Sequence, residues 1–342
     1  MSTPVSDEGL PWLDDESGPP EGSDGASQLS AEAPVELREA TASAAQHQLR
    51  LDKALADLVP EFSRSYLQQL LGQGCVRLNG QPVLKPAHKV RAGDHVVVEM
   101  RPTQQSQAFR PEHLPLDVVY EDDHLLVVNK PAGLVVHPAP GNWGGTLLNA
   151  LLGRDARAMQ VPRAGIVHRL DKDTSGLMVV ARSRAVMDAL VRMIAAREVS
   201  RQYVALVWGA WSGPVHRSVD APIGRDPRNR LRMAVVDLAQ HPGKQARTDF
   251  DLIDTTGEVC LVRCTLHTGR THQIRVHMAS IRHALVADTL YGGSCGGPMQ
   301  RQALHAFRLA FRHPVTDESM EFRVPLAEDM RLALDFWGLR YN

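Results

Sequence analysis

The chain has 342 residues, 43% of them hydrophobic, and a formal net charge of −1; this length and composition suit one large and one small folded domain and exclude a fibrous or wholly disordered protein. Its longest apolar runs are about five residues, too short for a membrane-spanning helix, and the acidic N-terminus lacks the apolar stretch of a secretory leader. The near-neutral charge hides an asymmetry: residues 1–45 hold ten acidic residues and one basic residue, which leaves residues 46–342 at +8 and points to a polyanionic partner.

Residues 1–47 read as a disordered acidic tail, because their sparse, aperiodic apolar residues cannot offset chain entropy. The pattern changes over 48–101. Leu51, Leu55 and Leu58 space a short helix that Pro60 ends. Ser63 is suited to cap a second helix over 64–72, with Tyr66, Leu67, Leu70 and Leu71 inward. The turn Asn79-Gly80 joins strands at 76–78 and 81–84 into a hairpin, and 94–100 forms a last strand. Arg50, Lys53, Arg64, Arg77 and Lys85 crowd into this small unit. Residues 102–114 are polar, contain two prolines and read as a linker.

The main domain spans 115–342. Strands are expected at 116–120 and 125–129, and a helix starts at Thr146. Apolar runs at 165–167 and 177–181 flank a loop that sets Arg169, Asp171 and Asp173 beside the core, where an unpaired charge is costly. A helix over 183–198 follows, then a strand over 201–208 with Tyr203, Ala205 and Val207 on one face. Strands at 246–253 and 258–266 and a helix at 271–281 complete the main elements. Strands outnumber helices and many are hairpin-linked. That predicts an α/β (α+β) domain with a mixed, largely antiparallel central sheet flanked by helices.

The four cysteines, at 75, 260, 264 and 295, have no zinc spacing, and His272 and His277 belong to no HExxH pattern. Free thiols in a reducing cytoplasm are expected, with no metal site. On charge pattern alone, Asp171 is either an ionised nucleophile or base held beside Arg169, or one half of a structural ion pair.

Two resemblances sharpen this reading. RLDKAL, SRSYLQQLLGQGCVRLNG and KVRAGD, within 48–101, resemble the alpha-L RNA-binding domain. HRLDKDTSGLMVVAR, from His168 to Arg182, is similar to the signature motif of the RluA family of RNA pseudouridine synthases. VNKPAGLVVHP (128–138), RQYVALV (201–207), GRTHQIRVH (269–277) and ALVADTLYGG (284–293) extend the resemblance, in order, over roughly 48–342. With the alpha-L module they point to the RluD-type members, which act on large-subunit ribosomal RNA.

The resemblance implies a pseudouridine synthase fold and isomerisation of uridine without a cofactor. It implies Asp171 as the catalytic aspartate, Tyr203 as the active-site tyrosine and Arg275 as the basic partner of Asp171. Arg169 takes part in extruding the target uridine, and Arg270, His168 and the basic residues of the small unit contact RNA. Three roles stay open for the carboxylate: attack on C1′, addition to C6, or removal of a sugar proton. The implied partner is ribosomal RNA or a pre-ribosomal particle, met by a monomer in the cytoplasm, with no membrane and no small-molecule cofactor. The competing readings are a ribosome-assembly factor that binds RNA without chemistry, a synthase acting on tRNA, and a nucleotide hydrolase. The last would need a metal cluster, nucleophile–base pair or phosphate loop that the sequence lacks.

Overall fold

The computed structural model describes residues 36–60, 64–100, 108–139 and 141–341. The expected cap at Ser63, most of the acidic tail and the linker residues 101–107 lie outside them. The chain divides into two compact units at Ala108–Phe109.

The small unit contains β1 (Glu36–Thr41), α1 (Leu51–Leu58), α2 (Arg64–Gly72), β2 (Val76–Leu78), β3 (Gln81–Pro82) and β4 (His95–Met100). Leu51, Leu55, Leu67, Leu71 and Val76 are fully buried and form its core with Leu70, Val96 and Val98. The strands form a sheet in the order β1-β4-β2-β3. β1 corrects the expected tail boundary at residue 47. It pairs with β4 from Glu36 opposite Met100 to Thr41 opposite His95. Its side chains are almost all exposed, so backbone hydrogen bonds rather than a buried face hold it, and its sequence shows no apolar alternation.

The large unit begins at Phe109 and not after a spacer ending at 114. The Glu112 N–H donates to Asn149 O at 3.0 Å, Asn149 Nδ2 donates to Arg110 O at 2.8 Å, and the Glu112 carboxylate accepts the Gly145 N–H at 3.0 Å. Its elements are β5 (Val118–Glu121), β6 (Leu125–Lys130), α3 (Leu147–Arg154), β7 (Ser175–Ala181), α4 (Arg184–Ala195), β8 (Ser200–Trp208), β9 (His216–Asp220), β10 (Ile223–Arg225) and β11 (Met233–Val235), then β12 (Arg247–Thr255), β13 (Val259–Leu266), α5 (Gln273–Ser280), β14 (Leu304–Arg312), β15 (Ser319–Arg323) and α6 (Glu328–Trp337).

Among the described residues, nine strands form one sheet in the order β5-β6-β7-β14-β8-β13-β12-β9, with β15 also paired to β14. Only β7 and β14 run parallel; every other pair is antiparallel. This is the mixed, largely antiparallel sheet that the sequence predicts. Both faces of its centre are covered, so β7 is buried at every position. Met178 and Val180 enter the cluster that holds Tyr203 and α3, while Leu177, Val179 and Ala181 pack under Val186, Leu190 and Ile194 of α4. Gly176 opens β7 with φ +117°, and a Cβ there would lie 2.2 Å from Ala306 O. Only glycine lets the chain leave the Asp171 loop and pair at once with β14.

Candidate active site

The loop 169–174 connects a short extended segment to β7 at the edge of the core. Ile166 bridges to Val180, and every carbonyl at the loop's centre is taken. Asp171 O accepts the Thr174 N–H at 3.1 Å. Lys172 O accepts both Lys130 Nζ at 2.8 Å and the Gly133 N–H at 2.9 Å. Asp173 O accepts Arg301 Nη1 at 2.7 Å, and Asp329 anchors Arg301 at 2.6 and 2.9 Å. Lys130 is the unexpected member. It is 1% exposed and its ammonium also holds Pro131 O and Leu134 O at 2.9 and 2.8 Å. Its three donors thus tie two loops together. Lys130→Met should lower stability by about 2–4 kcal/mol, since it strands buried carbonyls; a thermal melt of the purified variant, run beside its turnover, checks this.

Opposite the loop stands α5. His272 enters it with φ +56°. Gln273 fixes the entry: its Oε1 accepts from Arg270 N at 2.9 Å and Thr268 Oγ1 at 2.7 Å, while its Nε2 donates to Arg247 O at 3.0 Å. Arg275 is 5% exposed. Its Nη1 donates to Asp171 Oδ2 at 3.1 Å, and its Nε and Nη2 form a fork on Asp288 at 2.8 and 2.9 Å. The guanidinium also lies 5.0 Å over the Tyr291 ring. Tyr291 OH meets His272 Nδ1 at 2.8 Å and accepts the Met233 N–H of β11 at 3.0 Å. The bidentate pair with Asp288 sets the plane of Arg275, so one N–H is left to point at Asp171.

Burial acts to raise the Asp171 pKa, but His272, Arg275 and Arg169, together with the Arg275 hydrogen bond, overcome it and hold the carboxyl below its ordinary value of 3.8. The residue is an ionised carboxylate in a site otherwise hostile to charge. Tyr203 on β8 is 4% exposed and packs in the same core cluster as Cys264, Ile274 and Leu304. Burial pushes its phenol up to about 12, so it is a neutral O–H donor at physiological pH. Asp171, Tyr203, Arg275, Arg169 and Arg270 all line one cavity of about 260 Å³, the scale of a single base rather than a strand. Arg169 is exposed at its rim, and Arg270 is partly exposed with Nε on Gln245 O at 3.1 Å.

His168 lines the same cavity, but not as a cation for a phosphate. It is buried, its Nε2 accepts the Val179 N–H at 3.1 Å, and burial holds its pKa down to about 3. A neutral ring that serves the β7 backbone offers no cation to a phosphate. In the small unit Arg50, Lys53, Arg64, Arg77 and Lys85 are exposed, as RNA contacts require. The wholly buried Asp52 carboxylate gathers Arg50 at 3.1 Å and Arg64 at 2.7 Å. Sequence reasoning missed the roles of Asp288, Tyr291 and Lys130; the first two sit in the ALVADTLYGG stretch, which pointed to them without assigning a contact.

Known proteins resemble the chain along most of its length. Residues 124–280 match the family model described as RNA pseudouridylate synthase, and residues 49–96 match the S4 domain, the same kind of module as the alpha-L domain. The chain is 47% identical over 292 residues to ribosomal large subunit pseudouridine synthase D of Neisseria meningitidis serogroup B, a match covering 82% of this chain and 76% of that one. It is 48% identical over 296 residues to the protein of the same name from Xanthomonas campestris pv. campestris, covering 82% and 87%. Among solved structures, human RNA Pseudouridylate Synthase Domain Containing 1 is similar with a TM-score of 0.51 and 28% identity, over 63% of this chain and 85% of that one.

Proposed function

The chain belongs to the RNA pseudouridine synthase family, and from that membership we propose that it converts specific uridines of large-subunit ribosomal RNA to pseudouridine in the cytoplasm. The observation that carries the chemistry is the Asp171–Arg275 pair, 3.1 Å apart at the wall of a base-sized cavity with Tyr203. The likeness to two large-subunit synthases supports the choice of RNA. Cys75, Cys260 and Cys264 are buried thiols, which suits a reducing compartment.

In the reaction the N1–C1′ bond breaks, a C5–C1′ bond forms, C5 loses a proton and N1 gains one, so the product is an isomer and no redox step occurs. A stacked uridine cannot reach Asp171. It has to be flipped out at a cost of a few kcal/mol, and Arg169 at the rim is placed to hold the opened strand. Tyr203 offers a face for stacking and a phenolic O–H for hydrogen bonding. Because its proton is firmly held, it does not serve as a resting phenolate base. Arg275 keeps Asp171 charged and aimed, and Asp288 keeps Arg275 in its plane.

The test is a map of pseudouridines in ribosomal RNA from cells lacking the gene, read by carbodiimide labelling and primer extension. Defined large-subunit sites should vanish and return with the wild-type gene but not with Asp171→Asn. An unchanged map would reject ribosomal RNA as the substrate, and tritium release from uracil-C5-labelled tRNA would then separate a tRNA synthase from a binding factor.

A further inference from the structure

Arg201 lies two residues before Tyr203 on β8, so both side chains leave the same face of the strand. It lines the cavity that holds Asp171 and Tyr203. It is 6% exposed, and its Nε–H has no acceptor. Three other arginines of the large unit whose side chains are at most 15% exposed are ion-paired: Arg275 to Asp171 and Asp288, Arg301 to Asp329, and Arg182 to Glu121 and Asp155. The Arg201 side chain makes no ion pair or hydrogen bond among the described residues. Burial lowers its pKa, Tyr203 acts against that, and the nearby Arg270 adds to it. A buried guanidinium without a carboxylate is a net cost to the fold. It is retained where an acceptor arrives from outside.

We propose that Arg201 receives O4 of the extruded uracil and carries the negative charge that the base develops during isomerisation. This rests on the pseudouridine synthase reading of the site. Guanidinium has five donors and no acceptor. The uracil edge offers O2 and O4, both acceptors, whereas cytosine sets an amino donor at position 4 against it. The charge argument holds for each role open to Asp171. If the N1–C1′ bond breaks, by attack at C1′ or by loss of a sugar proton, its electron pair stays on the base and spreads over N1, O2 and O4. If the carboxylate adds to C6, the C5–C6 electrons move toward O4. In every route O4 gains charge in a cavity where a fixed cation acts strongly. A phosphate is the other acceptor an arginine takes. The rim residues Arg169 and Arg270 are placed for that, while Arg201 lies deeper, beside His168 and Tyr203.

The experiment compares full-length wild type, Arg201→Met and Arg201→Lys on an RNA bearing the target uridine and on one with cytidine there. For Arg201→Met the single-turnover rate should fall on the order of 100-fold, and Arg201→Lys should recover part of it. The thermal midpoint of Arg201→Met should equal or exceed that of wild type, because an unpaired buried charge has been replaced by an apolar chain of similar length. In an Asp171→Asn background, the affinity preference for uridine over cytidine should narrow about tenfold when Arg201→Met is added, as expected for one lost hydrogen bond to a charged donor. A lowered midpoint, or an unchanged rate, would overturn the proposal. So would an equal loss of affinity for both RNAs with a salt slope smaller by about 0.7, the sign of a lost phosphate contact. A wild type that modifies neither RNA would refute the functional reading itself, and the midpoint and base preference would still decide the place of Arg201.

Discussion

Asp171→Asn abolishes pseudouridine formation, with a loss of at least on the order of 10⁴-fold, and leaves RNA affinity unchanged or slightly tighter. The amide is isosteric and can still accept from Arg275 Nη1, which now lies 3.1 Å from Asp171 Oδ2. The backbone of the loop is held by Lys130, Gly133, Thr174 and Arg301 and does not depend on the carboxylate. The change therefore removes a nucleophile or base and one negative charge from a surface that meets polyanionic RNA. Single-turnover assays on an RNA containing the target site, with filter binding on the same RNA, read the two effects apart. Turnover within tenfold of wild type would remove Asp171 from the mechanism.

Arg275→Met costs on the order of 10²–10³-fold in turnover at neutral pH and gives the pH–rate profile an acid limb that the native enzyme lacks. In the native site, burial alone would raise the Asp171 pKa, and the surrounding positive groups reverse the effect. Without Arg275 and its hydrogen bond, burial is opposed only by His272 and Arg169, so the carboxyl pKa moves up from its native position. The fraction ionised then grows as pH rises through that higher value, and the rate grows with it. Native Asp171, held below its unfolded value, contributes stability that is present above the unfolded pKa and is lost as pH falls through the folded one. The variant loses that contribution as well. Rates between pH 5 and 9 at saturating RNA check the claim; a loss of equal size at every pH would mean that Arg275 acts only by shape.

The fold and site were unevenly legible in the sequence. Periodicity marks α4 within a few residues, because it buries one face, Val186, Met187, Leu190, Val191 and Ile194. Asp171, Tyr203 and Arg275 stand in motifs that are local in sequence, and the pairing of residues 171 and 275 follows from a resemblance that preserves both. Asp288 and Lys130 were not legible as partners. Their work is done on Arg275 and on the carbonyls of residues 131, 134 and 172, and nothing in the spacing says which chain segments will meet. A lysine ahead of Pro-Ala-Gly reads as a turn residue on the surface, whereas it is buried because its ammonium finds three carbonyls at once. β1 escaped for the opposite reason: it contributes a backbone edge and hardly any buried side chain. The surroundings of His168 were not legible either: the resemblance sets it beside Arg169, but its burial and its bond to the Val179 N–H depend on how β7 packs.

The place of β14 in the sheet bears on how the molecule matures during synthesis. It lies between β7 and β8, yet it begins at Leu304, about 95 residues after β8 ends at Trp208 and later still after β7. Until residues 304–312 leave the ribosome, β5-β6-β7 and β8-β13-β12-β9 are two half-sheets, each with an open hydrogen-bonding edge. Such edges attract foreign strands, and closing distant segments slows folding. The same late segment brings Arg301, which holds Asp173 O and Ser175 Oγ. Catalytic competence and protection from aggregation therefore arrive together, once residues 301–312 have been made, while the small unit can close its own four strands much earlier. A nascent chain passes through a stage in which the small unit can be folded while the catalytic sheet is still open.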